Sequence, residues 1–73
     1  MYFIMEIQGN ADGSFAHLVT RAPSRLEAES EYHRVLSAAA VSGLPMHSAV
    51  LLDATGTALM SQCYTHEPEE EGN

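Results

Sequence analysis

The chain has 73 residues, enough for one domain, and its single cysteine, Cys63, excludes an internal disulfide. Ten acids stand against three arginines, a formal charge of −7, so no basic patch is at hand to grip nucleic acid directly. A domain this small buries only about 60% of its unfolded surface, and of the usual reinforcements (disulfide, metal, partner subunit) the partner subunit is the one the composition favours.

The first apolar run, Tyr2 to Gln8, alternates in part: Phe3, Met5 and Ile7 point one way, and Tyr2, Ile4, Glu6 and Gln8 the other. It lacks the basic lead-in and the length of a signal peptide, and no run approaches transmembrane length. A cytoplasmic protein without membrane contact is therefore expected. Asn10-Ala11-Asp12-Gly13 is a turn signal, and Phe15 to Arg21 is a second β-rich run, so the two runs predict a hairpin. Two registers are open. A two-residue Asp12-Gly13 turn pairs Ile7 with Leu18; a type I turn with Gly13 left-handed pairs Ile7 with His17. One residue of slip exchanges the faces.

A helix follows. Ser24-Arg25-Leu26-Glu27 fits a capping box, in which the Ser24 hydroxyl accepts from the Glu27 N–H and the Glu27 carboxylate reaches back to the Ser24 N–H. Ala28, Tyr32, Val35, Leu36, Ala39 and Ala40 form an apolar stripe at helical spacing. Ser42-Gly43 supplies the stop, and Pro45 prevents continuation. Beyond it, His47 to Asp53 is apolar at its centre, Asp53-Ala54-Thr55-Gly56 is a turn, and Thr57 to His66 is a last strand. These elements predict an α+β fold, ββαββ, over residues 1–66: a four-stranded antiparallel sheet of order 2-1-3-4 with one helix packed on one face. Residues 67–73 hold four of the ten acids and no apolar side chain, and predict a disordered acidic tail.

One helix covers one face, yet both faces carry apolar groups. The second face is expected to be an oligomer interface formed by Tyr2, Ile4, Leu51, Met60 and Tyr64, with a homodimer the simplest outcome.

Chemistry is poorly supported. His17, His33, His47, Cys63 and His66 have no tight ligand spacing, so no metal site is expected. Cys63 and His66 are three apart on a strand and point to opposite faces. No nucleophile elbow or Gly-rich phosphate loop is present, and Cys63 has no adjacent base, so neither catalysis nor a cofactor is expected.

The helix segment Glu27-Ala28-Glu29-Ser30-Glu31-Tyr32-His33-Arg34-Val35-Leu36, continuing to Ala39-Ala40-Val41-Ser42, resembles a family of very small uncharacterised proteins from phages and mobile elements of anaerobic gut bacteria. Phe3 to Gln8, Asp12-Gly13 and Ser61 to His66 are similar to that family as well. The resemblance brings no site or activity with it. It implies an accessory protein that inhibits a host defence protein, such as an anti-CRISPR, or one that sequesters a signalling nucleotide. In the first case Glu27 and Glu31 are the partner-binding candidates, as mimics of nucleic acid. In the second, Arg21, Arg25 and Arg34 would contact phosphates and Tyr2, Tyr32 and Tyr64 would stack on a base.

Overall fold

The computed structural model describes residues 1–66, and the expected acidic tail lies outside the described residues. The elements are β1 (Tyr2–Gly9), β2 (Phe15–Ala22), α1 (Arg25–Ala40), β3 (Met46–Leu52) and β4 (Ala58–Thr65). The strands form one antiparallel sheet of order β2-β1-β3-β4, as the sequence predicts. No helix among the described residues is long and apolar enough to cross a membrane.

Both hairpins close by the same device. In each, a glycine N–H donates to the carbonyl three residues back: Gly13 to Asn10 and Gly56 to Asp53, both at 3.0 Å. Both glycines have positive φ, 88° and 90°, the region that a side chain disfavours. A carboxylate braces each turn. Asp12 accepts from the Ser14 N–H, and Asp53 from the N–H groups of Thr55 and Thr57. These hydrogen bonds hold both carboxyls below the usual aspartate value. The left-handed Gly13 selects the second of the two open registers, and Ile7 pairs with His17. Across the sheet, Leu51 pairs with Met60 but Leu52 with Ala58, so Leu59 bulges out of the β3–β4 ladder.

The helix begins at its expected cap, where Ser24 Oγ accepts from the Glu27 N–H at 3.2 Å. Only this half of the capping box is formed. The end differs from expectation as well. Gly43 has no positive φ; instead the N–H groups of Val41 and Ser42 bond to Ala38 and Ala39, tightening the last turn so that no left-handed residue is required. His66, just after β4, donates from Nε2 to the same Ala39 carbonyl at 2.9 Å, a second hydrogen bond on that terminal acceptor.

The core lies between α1 and the middle of the sheet. Ile4 and Leu51 are 1% and 0% exposed, under Ala28, Tyr32, Val35 and Ala39 of the helix. Full burial of each such side chain contributes about 1.5–3 kcal/mol. Alanine at positions 22, 28, 39 and 49 brings helix and sheet close together.

The side of the sheet on which the helix lies is the reverse of the expectation. Ile4 and Leu51 were expected on an exposed interface and are instead the most buried large side chains. Tyr2 and Met60 are half-buried against the same core, and Tyr64, opposite His47, shares that face. The physical reason is that polar side chains in this row satisfy one another. Glu6, Gln8 and His47 hydrogen-bond together, so the helix covers their row without stranding a buried polar group.

Candidate functional site

Two surfaces stand out, on opposite sides of the sheet. The first is the side away from α1. Its central rung runs Val19, Met5, Val50, Ser61 across β2, β1, β3 and β4, with Phe3, Ile7 and Leu52 alongside. Val19 is 45% exposed, and Met5, Ile7, Val50 and Leu52 are half-buried with no element of the described residues above them. At the end of this face the Phe15 ring leans over Gly9: a Cβ built on Gly9 would lie 3.1 Å from that ring and 3.1 Å from Met46 Cβ. Strand alternation places no acid on this face among the described residues, and one cation, Arg21. Cys63 is exposed there beside a shallow hollow of about 310 Å³ lined by Ser48, Val50 and Ser61.

The second surface lies on the helix side, where α1 runs over β1 and β3 and leaves β2 largely open. A chain of hydrogen bonds runs beneath the helix end. Ser42 Oγ lies 3.0 Å from His47 Nδ1, His47 Nε2 lies 2.6 Å from Glu6 Oε2, and Gln8 Nε2 donates to the same oxygen at 3.0 Å. One ring proton satisfies both His47 contacts: Nε2–H donates to the carboxylate, and Nδ1 accepts from the Ser42 hydroxyl. Burial works against the Glu6 charge. The hydrogen bonds from His47 and Gln8, with the electrostatic pull of His47 and Arg34, outweigh it and hold the carboxyl below the usual glutamate value. Beside this carboxylate is a cleft of about 200 Å³ lined by Glu6, Gln8, Ala16, His17 and Leu18.

Serine, imidazole and carboxylate in a row have the order of an acyl-transfer relay. The surroundings do not suit that chemistry. Ser42 sits at the C-terminal end of α1, where the helix dipole disfavours a developing oxyanion, and its own N–H is bonded to Ala39. The Glu6 cleft does not include Ser42 in its lining. What the array does is fix the Glu6 carboxylate in one orientation.

The remaining candidates do not converge. Glu27 is exposed near the start of α1, and Glu31 is engaged by both Nε and Nη2 of Arg34, which lowers its pKa. Arg25 is bonded to Glu29 at 2.7 Å, and Arg21 lies on the other side of the sheet. Tyr32 is 3% exposed, so it is not free to stack on a base, and burial raises its pKa. Within one chain the three arginines and three tyrosines thus form no common nucleotide site. His47 and Cys63 fall on opposite faces, and no group of three His, Cys, Asp or Glu side chains among the described residues is placed to hold a metal. The Glu6–His47 contact was missed by sequence reasoning. Its only trace there is the polar pair Glu6 and Gln8 at alternate positions of an otherwise apolar strand. No family model, no curated protein and no solved structure matches the chain.

Proposed function

We propose that the chain is a small, non-enzymatic interaction protein that pairs with copies of itself through the bare face of its sheet and binds and inhibits a protein of its host. The observation that carries this reading is that face: apolar along its centre, uncovered, and free of acids among the described residues in a chain of formal charge −7. Two copies brought face to face therefore set no acid against another on these strands. The size is adequate too. Four strands about 4.8 Å apart and about 25 Å long present on the order of 500 Å² each, so a pair removes roughly 1,000 Å², the lower bound for a specific interface.

Sedimentation of the wild-type chain and of Met5→Lys tests the pairing. The wild type should sediment as a dimer or larger at tens of micromolar, and the variant, with an unchanged circular dichroism spectrum, as a monomer. A wild type that is monomeric throughout would sink the idea. The resemblance to mobile-element proteins supports a defence protein, such as a CRISPR effector, as the target. Co-purification from the native host, read by mass spectrometry, should return a defence component; its absence from the specific partners removes that target.

A further inference from the structure

We propose that the cleft over β1 and β2, with the Glu6 carboxylate at its edge, receives an arginine side chain of the protein partner. This inference rests on the reading of the chain as an interaction protein and adds where the partner is gripped and by what chemistry.

The carboxylate is prepared for a cation. Both of its hydrogen bonds fall on Oε2, from His47 at 2.6 Å and Gln8 at 3.0 Å. Oε1 makes none and is not fully buried, since no buried side-chain oxygen among the described residues lacks a partner; the Glu6 side chain keeps 18% of its surface exposed. Gln8, which also lines the cleft, donates through its Nε2 and keeps its amide oxygen as a second acceptor. Two neighbouring acceptors suit the planar fork of a guanidinium better than the point charge of an ammonium. Leu18, 59% exposed, and Ala16 supply an apolar wall for the aliphatic stem.

Other occupants fit less well. A volume of about 200 Å³ falls below the roughly 300–1,000 Å³ of sites for drug-sized ligands, but suffices for one long side chain. An anion would face Glu6, while Arg34, the cation whose charge Glu6 feels, is already engaged by Glu31. A metal ion would find one carboxylate and no cluster of further ligands among the described residues. Of the acids in residues 1–66, Asp12 and Asp53 are used in turns, and Glu29 and Glu31 in ion pairs. Glu6 alone combines a fixed orientation with a concave surround.

The test is a nuclear magnetic resonance titration of the full chain with Nα-acetyl-arginine methylamide, its citrulline counterpart and inorganic phosphate. Arginine should move the Glu6 carboxyl carbon and the Leu18 methyls, with citrulline weaker by about tenfold or more, since it keeps the shape and loses the charge. Glu6→Gln should abolish the response. Leu18→Ser, at an exposed position outside the hydrogen-bond chain, should weaken it while leaving the fold intact, and serves if the first variant does not fold. An equal response to citrulline, a response to phosphate in place of arginine, shifts as large at Glu27 as at Glu6, or an unchanged response in Leu18→Ser would each overturn the proposal. Glu6, Gln8, Ala16 and Leu18 of the cleft lie across the sheet from the bare face, which shares only His17 with it. A sample that still sediments as a dimer but ignores arginine fails the cleft alone; a monomer that responds to arginine fails the pairing alone.

Discussion

The two faces of this sheet carry side chains that invert a simple count of hydrophobicity. The face under α1 holds Glu6, Gln8 and His47 in the same rows as Ile4, Ala49 and Leu51. The opposite face holds Phe3, Met5, Ile7, Val50 and Leu52, and among the described residues it has no acid on it and no element above it. The helix therefore does not settle on the row with the more continuous apolar run. It settles where small residues allow close approach and where each polar group finds a neighbour within hydrogen-bond reach. An unsatisfied buried polar group costs about 1–3 kcal/mol, comparable to the gain from one buried leucine, so the two terms compete on equal footing.

The largest expected contrast comes from cutting equal-looking apolar residues on the two faces. Leu51→Ala should lower unfolding free energy by about 2–5 kcal/mol, because it opens a cavity under the helix. Val50→Ala, one residue along, should cost about 1 kcal/mol in dilute protein, where no second copy covers it. Urea unfolding at low and high protein concentration reads both. If Val50→Ala costs as much as Leu51→Ala at every concentration, the distinction between the faces is wrong.

A smaller effect isolates the polar chain. The folded-state pKa of Glu6 lies below the ordinary value of 4.5, so the folded protein binds fewer protons than the unfolded chain in that window. The ionised Glu6 therefore contributes stability that is full above the unfolded value and lost as pH falls through the folded one. Glu6→Gln lacks this dependence. The stability advantage of wild type over Glu6→Gln should shrink between about pH 6 and about pH 3. A gap that stays constant over this range would mean that the hydrogen bonds from His47 and Gln8 do not favour the charged form.

Local features of this fold were legible in the sequence, and those that depend on distant residues were not. Ser24 announces the helix start because a cap needs only its own neighbours three positions on. Gly13 and Gly56 mark the hairpins for the same reason, although the register at Gly13 needed the turn geometry itself. The choice of covered face was not legible, since it turns on Glu6 meeting His47 across forty-one positions of chain. Neither residue signals that contact alone. With the face inverted, the interface residues named from the pattern, Ile4 and Leu51 above all, proved to be core. The expectation that one sheet face would lack a cover did not depend on which face it was.

The strand order also bears on how the chain reaches this state. Each hairpin, β1 with β2 and β3 with β4, joins sequence neighbours through a short braced turn, and such pairs form in microseconds. The seam between β1 and β3 joins the two hairpins, so its closure must order the helix and loops between them. The rate-limiting event in folding is then expected to be the meeting of the two hairpins. Changes within the Asp53–Thr57 turn, formed before that barrier, should slow refolding in stopped-flow measurements with little effect on unfolding, while mutations at the seam, such as Ile4→Val, should divide their effect between the two rates.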